Sequence, residues 1–143
     1  MITGDHLETA KVIARQVGII TEDLDNLPDD VAMTGKEFRK RIGAYSKIWN
    51  EQKQQFDIMF NERSKFDSVK KNLKVIARAT PEDKLLLICG IGQRGGVVGM
   101  AGDGISDAEA LKTAHVGICM GSGCDVAKDN SDLVILDNDF ASI

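Results

Sequence analysis

The chain has 143 residues, of which 43% are hydrophobic, and its formal net charge is −4. This length predicts one domain, residues 1–143, with enough apolar side chains for a small core. The acidic balance and the absence of a lysine and arginine cluster argue against nucleic acid as the main partner. Three cysteines without a Cys-x-x-Cys pair favour reduced thiols over a disulfide framework or a zinc site. No apolar run approaches the roughly 20 residues that cross a bilayer, so the chain itself is expected to be soluble.

The first segment predicts a turn followed by a helix. Apolar residues recur at helical spacing from Leu7 to Val17, and a glycine follows as a stop signal. Thr3 and Asp5 stand near the helix start. The polar stretch 21–30 is predicted to be a loop.

Residues 34–72 differ from the rest in composition. They hold six of the seven aromatic residues: Phe38, Tyr45, Trp49, Phe56, Phe60 and Phe66. Several of these follow helical spacing with charged residues between them, which predicts one or two amphipathic helices inserted into the domain. The aromatic stripe either packs the insertion onto the body of the domain or forms a docking face for a partner, and packing is the preferred interpretation.

The second half alternates short apolar runs with helical patterns. Strands are predicted at 73–77, 96–101, 116–120 and 133–136, and helices at 81–91, 106–114 and 125–130. The run 96–101 is predicted to be a buried strand. This alternation indicates an α/β domain with a parallel sheet and helices on both faces. In such sheets the active site lies beyond the carboxyl ends of the strands.

Two small clusters stand where strands end or helices begin. Thr3-Gly4-Asp5 offers a hydroxyl and backbone N–H groups that could cradle a phosphate, although the tripeptide is also typical of an ordinary N-cap turn. Arg78 and Lys84 follow the strand 73–77 and could neutralise phosphate, or could be two solvated surface charges.

The third cluster is the glycine-rich turn that follows the strand 96–101. Asp103 stands between two glycines, and Asp107 comes four residues later, so the two carboxylates can face one site. Hard oxygen ligands at a strand end suit Mg²⁺. The alternative is a turn with an aspartate cap. Taken together, the three clusters predict a site for phosphoryl transfer, because positioning and charge neutralisation carry most of that reaction.

Four stretches resemble the phosphorylation domain of P-type cation-transporting ATPases. Residues 1–10 (MITGDHLETA) resemble the opening of the second half of that domain, and residues 75–84 (VIARATPEDK) resemble its lysine motif. Residues 100–114 (MAGDGISDAEALKTA) are similar to its hinge motif, and the run from 116 to 143 continues the resemblance. The resemblance covers most of the chain outside residues 21–72, and the hinge motif with its downstream run is highly specific.

The resemblance implies a haloacid-dehalogenase-like Rossmann domain with an insertion at about 34–72. It implies that Thr3 and Gly4 contact the transferred phosphoryl group, and that Asp5 and Arg78 lie at the nucleotide. The remaining implied roles concern the second half of the chain: Lys84 neutralises the aspartyl phosphate, Asp103 ligates Mg²⁺, Asp107 supports that metal site, and Ser106 lies at the phosphate or nucleotide.

The parent protein implied by the resemblance is an ATP-driven cation pump that uses Mg²⁺ and ATP. Residues 34–38 (TGKEF) and the insertion look most like the plasma-membrane-type calcium pumps, which implies Ca²⁺ as the cation. The expected partners are the nucleotide-binding domain, the actuator domain and the membrane helices. The expected location is the plasma membrane, with this domain on the cytoplasmic side.

Three departures from the family pattern bear on activity. Ser106 stands where the family usually has asparagine, and Glu109 where it has proline. The Asp-Lys-Thr-Gly-Thr motif, which carries the phosphorylated aspartate on the first strand of this fold, does not occur. The chain is therefore expected to be a fragment that binds and does not turn over ATP alone. Two alternatives are a phosphatase of the same fold and a non-catalytic Mg²⁺- or nucleotide-binding module.

Overall fold

The computed structural model describes residues 1–139, 142 and 143, so Phe140 and Ala141, near the end of the resembling stretch, lie outside the described residues. The chain divides into two compact units. Unit 1 comprises Met1–Ile48 and Ile58–Asp83, and unit 2 comprises Trp49–Asp57 and Lys84–Ile143. That residues 1–143 form one domain stays a prediction. Within the described residues, no helix is both long enough and apolar enough to cross a membrane.

Six helices and seven strands are defined in the described part of the chain. The helices are α1 (Leu7–Gln16), α2 (Gly35–Ile42), α3 (Arg63–Lys70), α4 (Pro81–Gly92), α5 (Ala108–Thr113) and α6 (Asp125–Asp129). The strands are β1 (Ala32–Thr34), β2 (Tyr45–Asn50), β3 (Gln55–Phe60), β4 (Val75–Ala77), β5 (Gly99–Gly102), β6 (Val116–Met120) and β7 (Leu133–Ile135). Two short 3₁₀ turns cover Leu24–Asn26 and Ile105–Asp107.

The sheet of unit 1 is parallel and centred on β4. Strand β1 pairs with β4 in a register that places Met33 beside Ile76. On the other side of β4, Ile2 forms a parallel bridge with Ile76. The Thr3 amide donates to the Ile76 carbonyl at 2.9 Å, so the first residues of the chain run alongside β4. Thr3 consequently lies at the carboxyl end of β4.

Helix α1 covers one face of this sheet. Its Ala10 and Ala14, four residues apart, are fully buried against Val75 and Ala77 of β4. Small side chains at this spacing form a narrow stripe that lets the helix approach the strands closely. Ile76 points to the opposite face because side chains alternate along a strand. The apolar runs of the sequence thus produce the predicted α/β arrangement with parallel strands.

The insertion at 34–72 contains two helices, as predicted, but its middle part forms two strands and was wrongly expected to be helical. Helices α2 and α3 bury Phe38 and Phe66, whose rings meet edge to face at 6.4 Å. Between them, β2 and β3 pair with each other and carry Tyr45, Trp49, Phe56 and Phe60. Side chains four residues apart lie on the same face of a strand as well as on the same face of a helix, so the spacing of the aromatic residues does not distinguish the two. Aromatic residues themselves favour strands.

The sheet of unit 2 has the order β5-β6-β7, with both pairs parallel. The strands predicted at 116–120 and 133–136 are confirmed as β6 and β7. Helices α4 and α5 pack on β5 through Ile88, Ala110 and Met100.

The strand predicted as buried at 96–101 differs in position and exposure. Strand β5 starts at Gly99, and its Gly99 and Ala101 are exposed. In the described part of the chain β5 pairs with β6 alone, so it is an edge strand. A run of apolar residues predicts a strand but does not indicate whether neighbouring strands lie on both sides of it. The exposure of β5 could therefore not be predicted from the sequence.

Candidate functional site

The Thr3-Gly4-Asp5 cluster forms a self-contained turn in unit 1. The Thr3 hydroxyl donates to the Asp5 carboxylate at 3.0 Å and accepts from the Asp5 amide at 3.1 Å. Helix α1 begins later, at Leu7, and its N-cap residue His6 makes no side-chain cap. The alternative of an ordinary N-cap turn is therefore not observed, because neither polar side chain bonds to the first turn of the helix.

Arg78 lies beside this turn at the carboxyl end of β4. Its amide donates to the Asp5 carbonyl at 2.9 Å, and the Ala79 amide donates to the Thr3 carbonyl at 2.9 Å. Arg78 adopts a left-handed backbone with φ of 48°, which is uncommon for a residue with a side chain. Unit 1 thus brings Thr3, Gly4, Asp5 and Arg78 together at the carboxyl end of β4, and the last three are exposed.

In unit 2 a largely buried ion pair forms the centre of the candidate residues. The Lys84 Nζ atom lies 2.5 Å from Asp107 Oδ1, and the two side chains are 12% and 8% exposed. The same Nζ atom lies 3.5 Å from the Ser106 hydroxyl. Lys84 is on the first turn of α4, and Asp107 ends the 3₁₀ turn after β5. The pair therefore links two elements through residues that are 23 positions apart in the sequence.

The second oxygen of Asp107 organises the glycine-rich turn. Asp107 Oδ2 accepts from the amide of Gly104 at 3.1 Å and from the amide of Asp103 at 3.3 Å. Gly102 makes this possible, because a Cβ atom added there would lie 2.8 Å from the Cβ and Cγ atoms of Asp107. Both carboxylate oxygens of Asp107 are therefore engaged by protein donors.

Asp103 is the opposite case, with an exposed side chain at the carboxyl end of β5. Its carbonyl accepts from the Cys124 amide at 2.9 Å, so the backbone is anchored while the carboxylate faces solvent. Among the described residues, no group of three or more His, Cys, Asp and Glu side chains forms a ready-made metal cage. One exposed carboxylate fits Mg²⁺, which takes one or two carboxylates and completes its shell with waters and phosphate oxygens.

Sequence reasoning missed a buried network at the start of α4. Asp83 is fully buried and accepts from the Thr80 amide at 2.8 Å, while the Thr80 hydroxyl accepts from the Asp83 amide at 3.4 Å. Arg39 of α2 donates to both Asp83 oxygens, at 2.5 and 2.6 Å. The Thr80-x-x-Asp83 spacing is the sequence signature of a capping box and could have indicated the helix start.

Comparisons with known proteins agree with the resemblance noted in the sequence. No family model matches the chain. The whole chain aligns at 38% identity with the plasma-membrane-type calcium-transporting ATPase 8 of Arabidopsis thaliana, and at 43% with the sodium/potassium exporting P-type ATPase cta3 of Schizosaccharomyces pombe. A solved structure of the catalytic domain of the CPx-ATPase CopB-B matches 57% of this chain and 33% of its own length, with 34% identity and a TM-score of 0.46.

The alignments cover all of this chain but little of each relative. The chain spans 12% of the length of both the Arabidopsis and the Schizosaccharomyces protein. The names of these two relatives differ in the ion they give, calcium in one and sodium and potassium in the other. Over its full length the chain is therefore homologous to one segment of the P-type cation-transporting ATPases.

Proposed function

We propose that this chain is the C-terminal part of the phosphorylation domain of an ATP-driven cation pump. In this role it binds the phosphate groups of ATP together with Mg²⁺. The observation that carries the proposal is the buried Lys84–Asp107 pair beside the exposed Asp103, at the carboxyl end of β5. Ligands of open α/β sheets bind at that end of the strands.

Lys84 is the cation that receives the phosphoryl group in this proposal. An ammonium group has three N–H donors. One is directed to Asp107 and a second lies at the distance of a weak contact with the Ser106 hydroxyl. The third donor is available to a phosphate oxygen, and the fixed position of Nζ means that little reorganisation is needed when charge develops there.

The two aspartates have different tasks. Asp103 holds Mg²⁺ through its exposed carboxylate, and Asp107 positions Lys84 and the amides of the turn. When bound, Mg²⁺ neutralises phosphate charge and orients the phosphate oxygens. The Ser106 hydroxyl contacts the same lysine and so contributes to the site. It is shorter than the asparagine side chain that the family usually has at this position.

In unit 1 the Gly4 backbone binds the phosphoryl oxygens together with the Thr3 hydroxyl, which exchanges its bond to the Asp5 carboxylate for one to a phosphoryl oxygen, and Asp5 and Arg78 contact the nucleotide. The exposure of Gly4, Asp5 and Arg78 supports this assignment, because these groups are free of the protein interior and face the solvent from which a nucleotide arrives. Their placement at the end of β4 supports it as well.

The phosphorylated aspartate and the other domains are further parts of the proposed pump. The sequence contains no Asp-Lys-Thr-Gly-Thr motif, so the aspartyl phosphate is proposed to form on a segment outside residues 1–143. A nucleotide-binding domain, an actuator domain and membrane helices complete the pump. Ca²⁺ as the cation and the plasma membrane as the location rest on the resemblance of residues 34–38 and on relatives that are named plasma-membrane-type calcium-transporting ATPases.

Titration of the isotope-labelled chain with Mg²⁺ tests the metal site directly. The amide resonances of Asp103 and Gly104 are expected to shift with added Mg²⁺ in the native chain, and to stay in place in Asp103→Asn. Asp29→Asn, which removes an exposed carboxylate from a loop of unit 1, is the matched control and should titrate like the native chain. Equal Mg²⁺ shifts in Asp103→Asn would refute the assignment of Asp103.

A graft tests the phosphoryl-transfer role. Placed in the Arabidopsis relative instead of the homologous segment, the chain should support acid-stable labelling from radioactive ATP, and Lys84→Met should abolish it. The chain alone should take up no label. Label on the isolated chain, or hydrolysis of a chromogenic phosphoester by it, would favour the phosphatase alternative. Mg²⁺ binding with an inactive graft would favour a non-catalytic module.

A further inference from the structure

Two cysteines flank a tight turn next to the Asp103 loop. Cys119 is the fourth residue of β6, and Cys124 stands immediately before α6. The Gly123 amide donates to the Met120 carbonyl at 2.8 Å, which closes the turn over residues 120–123. The closure brings Met120 and Gly123, the two end residues of the turn, close to each other.

The two thiols share one small apolar cluster. Cys119 is fully buried with Leu111 and Ala127, and Cys124 packs against the same cluster while staying partly exposed. The Cys119 Sγ atom lies against Gly123, where an added Cβ would come within 2.5 Å of it. The sulfur of Cys119 therefore contacts the residue that directly precedes Cys124. A disulfide requires Cα atoms about 4.4–6.8 Å apart, and the shared cluster together with the contact between the Cys119 sulfur and Gly123 places the two cysteines side by side.

We propose that Cys119 and Cys124 form a peroxide-sensitive dithiol that closes to a disulfide. Cys124, which solvent reaches, attacks a hydroperoxide: a sulfur–oxygen bond forms, the oxygen–oxygen bond breaks, and water or an alcohol leaves. The Cys119 sulfur then attacks the sulfenic acid on Cys124. The sulfur–sulfur bond forms, the Cys119 proton and the sulfenic hydroxyl leave as water, and both sulfurs end oxidised.

The division of roles follows from the surroundings of the two thiols. Desolvation by burial is the main reason that the pKa of Cys119 is raised above its usual value, so this thiol stays protonated and sheltered from oxidant. Cys89, the third cysteine, is buried in α4 at another place in unit 2. It serves as an internal comparison, because nothing in the proposal involves it.

The disulfide would act on the Asp103 loop through the backbone. The Cys124 amide donates to the Asp103 carbonyl at 2.9 Å, and a Cβ on Gly123 would lie 3.2 Å from the Asp103 Cα atom. A disulfide to Cys119 would move Cys124, and the Cys124 amide is hydrogen-bonded to the Asp103 carbonyl. The turn of residues 120–123 is packed too closely to absorb this movement alone, so the position of the Asp103 backbone changes with the redox state.

Peptide mapping of the full chain tests the disulfide. The reduced chain is treated with one equivalent of hydrogen peroxide, quenched with an alkylating agent under denaturing conditions and digested with trypsin without reductant. Residues 113–128 form one tryptic peptide that holds both cysteines, and it should lose two hydrogens and take up no alkyl group. The peptide of residues 85–94, with Cys89, should be fully alkylated. Dithiothreitol should restore alkylation of both thiols.

Variants assign the two roles. In Cys119→Ala, treated with at least two equivalents of hydrogen peroxide because each adds one oxygen, the Cys124 thiol should gain two oxygens and become a sulfinic acid, since the resolving thiol is gone. In Cys124→Ala the Cys119 thiol should remain unoxidised. A native chain in which Cys124 gains oxygen while Cys119 is still alkylated would overturn the disulfide. So would closure that proceeds equally fast in concentrated urea, because the fold would then contribute nothing.

The coupling between the disulfide and the Asp103 loop can be measured separately by NMR. The amide resonances of Asp103 and Gly104 should shift when the disulfide forms and return on reduction, in the absence of Mg²⁺ and nucleotide. This measurement is independent of the proposed phosphoryl-transfer role. Unchanged Asp103 and Gly104 resonances in a chain whose disulfide has been confirmed by mass would refute the coupling.

Discussion

The two glycine-containing loops that carry candidate site residues, one in each unit, are built in opposite ways. The Thr3-Gly4-Asp5 turn of unit 1 is held by bonds among its own residues, and its glycine has open space around it. The Gly102–Asp107 turn of unit 2 is held by a buried carboxylate, whose partner Lys84 is 23 residues away. The first loop is local and exposed, and the second depends on long-range contacts.

This difference separates residues that maintain the structure from residues that are available for a ligand. A side chain whose hydrogen-bonding atoms are all occupied by the protein contributes to stability. A side chain that is fixed only through its backbone can give its own atoms to a ligand. Asp107 belongs to the first class and Asp103 to the second, although the sequence presents them as an equivalent pair.

The largest effect is expected for Asp107→Ala. It leaves Lys84 charged and only 12% exposed, and it frees two turn amides, so the free energy of unfolding should fall by about 3 kcal/mol. Asp103→Ala removes an exposed carboxylate and should change that free energy by less than about 0.5 kcal/mol. Urea unfolding followed by circular dichroism measures both. Equal losses in the two variants would break the distinction between the aspartates.

A smaller loss is expected for Asp83→Ala in unit 1. Its partner Arg39 is 31% exposed and can turn toward water, so removing the buried carboxylate should cost about 2 kcal/mol. Glu82→Ala, on the same first turn of α4, removes a partly exposed pair with Lys47 and should cost about 0.5 kcal/mol or less. The same unfolding measurement applies. A loss from Glu82→Ala as large as that from Asp83→Ala would contradict the importance of burial.

The glycines of the two loops provide a third comparison. Gly102→Ala introduces a methyl group 2.8 Å from Asp107, and the resulting strain should cost about 1.5 kcal/mol. Gly4→Ala meets no atom within 4 Å, and it should be neutral or stabilise the chain by roughly 0.5 kcal/mol through the unfolded state. Melting temperatures of the two variants, measured side by side, show whether only the loop of unit 2 is closely packed.

The smallest effect concerns acid stability and an exposed pair in unit 1. Hydrogen bonds from Lys74 are the main cause that lowers the pKa of Glu22 from 4.5 to about 2. Because the folded-state pKa is depressed, the pair stabilises the fold above pH 4.5, and this contribution is lost as the pH falls through that range toward 2. Melting temperatures of the native chain should therefore fall more steeply over this window than those of Glu22→Gln. Glu51→Gln, on the exposed turn after β2, is the control and should keep the native slope.

Sequence reasoning succeeded where a local pattern determines the structure. Strand β6 and helix α4 follow from an apolar run and from a proline at a helix start, and both lie where they were predicted. It failed for β2 and β3, because a spacing of four residues between aromatic side chains is compatible with both a strand and a helix. Strand β1 was missed since three residues carry too little periodicity for a prediction.

The candidate site shows the same limit. The residue types and the strand ends indicated where the polar groups would cluster, and the structure groups them within each unit. What the sequence did not distinguish was the burial of Asp107 from the exposure of Asp103, because that depends on a lysine in another element. The Thr80-x-x-Asp83 box was visible in the sequence, but its partner Arg39 lies 44 residues from Asp83 and no local pattern indicates it.

Lys84 is held both through its backbone neighbour Asp83 and through its ammonium group, and this has a further consequence for ligand affinity. A free lysine side chain carries roughly 2 kcal/mol of rotamer entropy, which is lost when it is ordered around a phosphate. Here Thr80 and Arg39 hold Asp83, the residue directly before Lys84, and Asp107 already fixes the ammonium group. The ordering has therefore occurred during folding, so a phosphate that reaches Lys84 meets a cation whose conformational freedom has already been lost.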